Sequence, residues 1–172
     1  MADLNASRLA PLHPRLKKLG VELIAKCKAQ GIDILITQGL RTVEEQDALF
    51  AQGRLGLAQV NGLRKKASMA PIGPKENTKV TNARGGQSFH NFGLAIDFVP
   101  LLSMGKANWN TKDPSWMKVR QIGKALGLRP ASEVKPDWDL PHLQLVIGGK
   151  PDGSLVKAYA AGGLNAVYKI VQ

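Results

Sequence analysis

Apolar residues along this chain switch between two spacings, and the switch points divide it into helices and short strands. From Pro14 to Gln30, Leu16, Leu19, Leu23 and Cys27 recur at helical intervals, with Gly31 as a stop. Ile32, Ile34 and Ile36 then alternate with Asp33, Leu35 and Thr37, the period of a strand. Gln38 and Gly39 break the pattern. Thr42 followed by Glu45 has capping-box spacing, which predicts a helix running to Gln52 and ending at Gly53. Leu94, Ile96 and Phe98 alternate with Ala95, Asp97 and Val99 in a second strand. Asp113 and Pro114 read as a cap and first helical position, opening a helix that turns Val119, Ile122 and Leu126 inward and stops at Gly127. A third strand is expected from His142 to Val146, with His142, Gln144 and Val146 on one face.

Two stretches fit neither period. Residues 54 to 87 are rich in Gly, Pro, Asn and basic residues, and read as a long basic loop with a short strand near Lys79–Asn82. From Gly148 to Gln172 two short helical pieces are expected. Ser154 caps the first, Gly162 and Gly163 separate them, and Leu164, Val167, Tyr168 and Val171 form a stripe on the second.

The chain is 172 residues long, enough for one domain with a real core. No window approaches the roughly 18 apolar residues of a membrane span. Met1 to Leu12 shows no basic start, apolar run and cleavage site, so the expectation is a chain made in the cytosol. Cys27 is the only cysteine, which excludes an intrachain disulfide and a cysteine zinc cage. On its helical stripe it reads as a core residue. The formal charge of +11 favours polyanionic partners, including anionic wall or outer-membrane polymers. Only 5% of residues are aromatic, so stacking platforms for single-stranded nucleic acid are not evident.

The chain has three histidines, and two of them come with carboxylates. His90 and Asp97 flank Gly93, which lets the backbone curl so that both side chains face one point. His142 follows Asp137-Trp138-Asp139-Leu140-Pro141. Two imidazoles and a carboxylate make a three-ligand zinc set with a fourth position for water. Zinc bound in this way lowers the pKa of its water to about 7. Asp139 is not needed as a ligand and is placed to act as base. Arg41, after a strand and before a helix cap, is placed to support a developing oxyanion. His13, in Leu12-His13-Pro14, reads as the entry to the first long helix and carries no catalytic role.

These residues fall into a known pattern. Ser88-x-His90-x-x-Gly93-x-Ala95-x-Asp97, followed by Asp139-x-x-His142, resembles the zinc peptidases that include D-Ala-D-Ala carboxypeptidases and dipeptidases. Gln38-Gly39-Leu40-Arg41-Thr42, Glu45-Gln46, Gln52-Gly53-Arg54, Leu12-His13-Pro14 and Pro141-His142-Leu143-Gln144 resemble the L-alanyl-D-glutamate endopeptidase branch found in phage endolysins. The resemblance covers about residues 10 to 147. It implies a compact α+β fold, a single domain with a small antiparallel sheet, flanking helices and a zinc site in a cleft on the sheet. It also implies one Zn2+ per chain on His90, Asp97 and His142, with Asp139 as catalytic carboxylate and Arg41 beside the tetrahedral intermediate. Ser88 and Trp138 are then candidate substrate contacts.

The expected organisation is a peptidase domain over residues 1–147 and a helical extension over 148–172 packed on it. The leading function is a monomeric peptidoglycan endopeptidase that cuts the L-Ala–D-Glu bond of the stem peptide. In a phage setting it would be made in the host cytoplasm and reach the wall after holin-type lesions. Two alternatives stay open. One is a D,D-carboxypeptidase or D-Ala-D-Ala dipeptidase using the same zinc site. The other is a basic binding module for wall polymer or nucleic acid.

Overall fold

A computed structural model describes residues 2–131, 139–146 and 150–171. The chain runs α1 (Ala2–Leu9), α2 (Pro14–Ala29), β1 (Ile34–Gln38), α3 (Val43–Ala51), α4 (Leu57–Lys66), β2 (Ala95–Pro100), α5 (Pro114–Ala125), β3 (His142–Gln144) and α6 (Gly153–Ile170). The strands form one antiparallel sheet in the order β1-β2-β3. This is the α+β arrangement expected from the resemblance.

The helices form where spacing and caps agree. In α2, Pro14 is a first-turn residue, the His13 ring accepts from the Arg15 N–H, and Leu16, Leu23 and Cys27 are buried on one side. Thr42 and Glu45 complete the capping box of α3. Asp113 caps α5, which buries Trp116, Val119 and Ile122. Gly123 of α5 lies so close to β3 that a Cβ there would meet the Leu143 side chain at 2.8 Å. Thus α5 covers the sheet face that carries Leu143 and leaves the face of its chain neighbour His142 free for chemistry.

Register fixes that second face. Asp97 of β2 stands opposite His142 of β3, with Ile96 opposite Leu143. On the other side Ile36 pairs with Phe98 but Gln38 pairs with Asp97, so Thr37 is an extra residue in β1. This bulge lies directly across from Asp97. Ile36, Ile96, Phe98, Trp116 and Leu143 are fully buried beneath the sheet.

Several expectations need correction. The N-terminal stretch, for which the spacing predicts no element, forms α1. Its Asn5 side chain donates to the Ile34 carbonyl at 3.1 Å and accepts from the Ile36 N–H at 2.7 Å, covering the free edge of β1. Residues 54–87 are not one loop. They contain α4, which buries only Val60 and so has no stripe to detect, and a short 3-10 turn at Pro74–Glu76. No strand forms near Lys79–Asn82, because that stretch is bound by side chains of α3 and its C-terminal turn instead. β1 is shifted to Ile34–Gln38 and β3 stops at Gln144.

In the last helix Asp152, not Ser154, is the cap, since its carboxylate accepts from the Ser154 and Leu155 N–H groups. Gly162 and Gly163 do break α6, with Gly163 at φ 61°. Leu155 and Val167 join the core, and Leu164 is half-buried. The Tyr168 hydroxyl donates to the Pro11 carbonyl at 2.8 Å. The His13 ring, whose Nδ1 caps α2, reaches the Val171 carbonyl through Nε2 at 3.0 Å.

Candidate metal centre

His90 sits in a 3-10 turn, Phe89–Phe92, between two conformational stops. Ser88 caps the turn with its hydroxyl, and Gly93 ends it at φ 65°, a conformation that disfavours any residue with a Cβ. A Cβ there would also collide with the Tyr168 hydroxyl. The His13 N–H donates to the Gly93 carbonyl at 3.1 Å, fixing the turn from behind. Asp97 and His142 come from directly paired positions on β2 and β3.

The three side chains converge. His90 Nε2 lies 3.2 Å from Asp97 Oδ1 and 3.2 Å from His142 Nδ1, and His142 Nδ1 lies 3.2 Å from Asp97 Oδ1. Ligand bonds of about 2.0–2.1 Å in a tetrahedron place neighbouring donors about 3.3 Å apart. The triangle therefore has the size a zinc ion demands. It is the one such group of His, Cys, Asp or Glu side chains among the described residues.

The outer ring nitrogens set the tautomers. His90 Nδ1 donates to the Gly39 carbonyl at 2.8 Å, and His142 Nε2 donates to Gln144 Oε1 at 3.0 Å. The Gln144 amide is held in turn by donating to the Val146 carbonyl at 2.7 Å. Each imidazole so turns its inner nitrogen toward the centre of the triangle, the atom a metal would take once that nitrogen is deprotonated.

Charge is concentrated here. Burial pushes the Asp97 carboxyl up, but the His90 charge and hydrogen bonds from His142 and His90 outweigh it and hold it well below the usual range. Burial pulls His142 down, yet the hydrogen bond and charge of Asp97, with Asp139 beyond, leave it raised. Arg41 is lowered by burial, against the pull of Asp97, Glu45 and Asp139.

A cleft of about 540 Å³ opens over the triangle, and Arg41, Ser88 and Asp139 line it with the three donors. Asp139 stands at the mouth with φ 57°. The Arg120 guanidinium donates to its carbonyl at 3.2 Å, and the His142 N–H donates to the same oxygen at 3.1 Å. The Asp139 side chain still reaches solvent, but crowding by the cleft raises its pKa, with Asp97 adding and His142 and His90 opposing. Arg41 Nη2 reaches Asp97 Oδ2 at 3.5 Å. The structure thus brings together His90, Asp97, His142, Asp139, Arg41 and Ser88. Trp138 lies outside the described residues.

Sequence reasoning missed three participants: the Gly39 carbonyl, the Gln144 amide and Gln46, whose Oε1 accepts from Arg41 Nη1 at 2.7 Å. Gln144 was within reach, since it shares a strand face with His142. Gly39 and Gln46 stand in the motifs that carry the resemblance, but they act across the fold and no role for either follows from the local sequence.

Residues 10–127 match the VanY family, D-alanyl-D-alanine carboxypeptidase. The chain is 34% identical over 142 residues to the peptidoglycan L-alanyl-D-glutamate endopeptidase CwlK of Bacillus subtilis (strain 168), covering 78% of this chain and 74% of that protein. Two solved structures share the fold. One is a mutant of the vancomycin resistance D,D-pentapeptidase VanY from the VanB-type cassette in complex with Zn(II), at TM-score 0.51 and 16% identity, covering 89% of this chain and 80% of that one. The other is VanYB in complex with D-alanine-D-alanine, at TM-score 0.52 and 15% identity, covering 94% and 84%.

Proposed function

The chain belongs to the VanY D-alanyl-D-alanine carboxypeptidase family, and from that premise we propose that it is a zinc endopeptidase acting on the L-Ala–D-Glu bond of peptidoglycan stem peptides. The observation that carries the reading is the 3.2 Å donor triangle of His90, Asp97 and His142 with Asp139 at its mouth. The choice of bond is supported by the identity to CwlK.

His90, Asp97 and His142 would hold the ion, which would supply Lewis acidity toward water and the scissile carbonyl. Asp139, its pKa raised by burial, takes the proton from the attacking water and returns it to the leaving amine. Arg41 faces the negative charge that grows on the carbonyl oxygen, with its guanidinium held by Gln46 and Asp97. Ser88 stands on the cleft wall beside His90, where it contacts the peptide. The surplus of basic residues attracts the anionic wall. The lytic setting, in which a phage-encoded enzyme made in the host cytoplasm reaches the wall after membrane lesions, belongs to the proposal on the likeness of residues 38–54 to the endolysin branch.

Mass analysis of digested peptidoglycan tests the bond. New L-Ala carboxyl ends paired with D-Glu amino ends are expected. Release of free D-Ala with intact L-Ala–D-Glu bonds would turn the assignment to the D,D-carboxypeptidase reading, which the family match favours.

A further inference from the structure

We propose that Gln46 is a positioning residue that holds Arg41 and one wall of the cleft in a single frame, coupling peptide binding to carbonyl polarisation. The proposal rests on the peptidase reading above.

Gln46 lies in α3 and is fully buried, an uncommon place for a primary amide. Burying it costs free energy unless each polar atom finds a partner. All do. Oε1 accepts from Arg41 Nη1 at 2.7 Å. Nε2 donates to the Ala83 carbonyl at 2.7 Å and to Thr81 Oγ1 at 3.2 Å. Arg41, Thr81 and Ala83 all line the cleft over the metal triangle. One amide therefore joins the arginine to the stretch of cleft lining that carries Thr81 and Ala83.

The partners sharpen the assignment. Arg41 Nη1 is taken by Gln46 and Nη2 leans on Asp97, while the buried Nε meets no partner among the described residues. The direction of the guanidinium is then set by Gln46 and Asp97 together. Thr81 Oγ1 also accepts from the Ala83 N–H at 3.2 Å, and the Thr81 carbonyl accepts from Arg54 Nη2 at 3.0 Å. The wall is anchored at several points, and among the described residues the Gln46 anchor is the one that continues to Arg41. An amide suits this place because it offers an acceptor and two donors in a rigid plane. A residue needed only to hold the wall would require the donors and no acceptor.

The test is a kinetic cycle on a soluble stem peptide with the zinc-loaded protein, using Gln46→Met, Arg41→Lys and the pair. Gln46→Met should lower kcat about 10- to 100-fold, the effect of losing a hydrogen bond to a charged group, and raise KM several-fold. In the double variant kcat should fall no further than in Arg41→Lys, while the rise in KM persists. Thr81→Val keeps Gln46 and should raise KM about 5-fold with kcat unchanged. It should also weaken calorimetric binding of the intact peptide to metal-free protein by a similar factor. Multiplicative losses in kcat in the double variant, or a Thr81→Val protein with native KM and affinity, would overturn the proposal. If Gln46→Met does not fold, the Thr81→Val arm decides. A wild-type protein that cleaves no stem peptide overturns the peptidase reading instead, and the two failures are separate.

Discussion

The β2–β3 pair and the wall between α3 and β2 enclose the same cleft, yet they are built by different physics. In the strand pair, Asp97 and His142 are placed by backbone register, and buried Ile96, Phe98 and Leu143 make any slip expensive. In the wall, residues 77–83 are placed by side chains that reach for backbone. Gln52 donates to the Glu76 carbonyl, Asn77 accepts from the Gly53 N–H, and Arg54 and Gln46 hold Thr81 and Ala83. The strand pair has little freedom to change without losing the metal. The wall can be rebuilt by replacing single polar side chains, so the difference separates chemistry from substrate choice.

That contrast can be broken in four ways, the first having the largest effect. His142→Ala removes one corner of the triangle. Bound zinc measured by metal analysis should be lost, with activity down by several kcal/mol in the barrier, on the order of 10³-fold or more. Asp139→Asn should leave zinc in place and lower kcat about 10²- to 10⁴-fold. The wild-type pH profile supplies a second readout. Crowding raises the Asp139 carboxyl, so its base form is lost as pH falls through a value above the ordinary aspartate range. The Asn variant should lack that acid limb. Gln144→Leu leaves the ligands untouched but frees the His142 ring, and zinc affinity should weaken about 10- to 100-fold in a chelator competition. Asn77→Ala acts on the wall alone. It should cost about 1 kcal/mol in denaturant unfolding and raise KM without altering zinc content. A wall variant that lost zinc would collapse the distinction.

The two regions also differ in how far sequence reaches them. The helices α2, α3 and α5 and the strand faces around Asp97 and His142 follow from spacing and caps, because there each residue's environment repeats with the local period. Helix α4 escaped, since a helix that buries only Val60 writes no stripe. Helix α1 escaped because its informative residue, Asn5, is polar and works by pairing with β1. The structure brings the three metal-ligand side chains together, and they were legible through the motifs that carry the family resemblance, Ser88-x-His90-x-x-Gly93-x-Ala95-x-Asp97 and Asp139-x-x-His142. Gly39 and Gln46 were not, because a carbonyl behind an imidazole and an amide between two loops depend on contacts remote in the chain. The strand expected near Lys79–Asn82 failed for the same reason. Its composition permits a strand, but Gln46 and Arg54 supply its partners.

The bulge at Thr37 has a bearing on how chains of this kind can diverge. Gly39 carries the carbonyl that orients His90, and Arg41 lies against Asp97; both follow the bulge within a few residues. Losing Thr37 would alter no functional side chain, yet it would slide both groups one position along β2. A substitution at Thr37 is therefore more easily accommodated than its deletion, whereas Gly39 is fixed in identity as well, since a Cβ there would collide with the Arg8 carbonyl oxygen. At the bulge itself, the number of residues matters more than which residue it is.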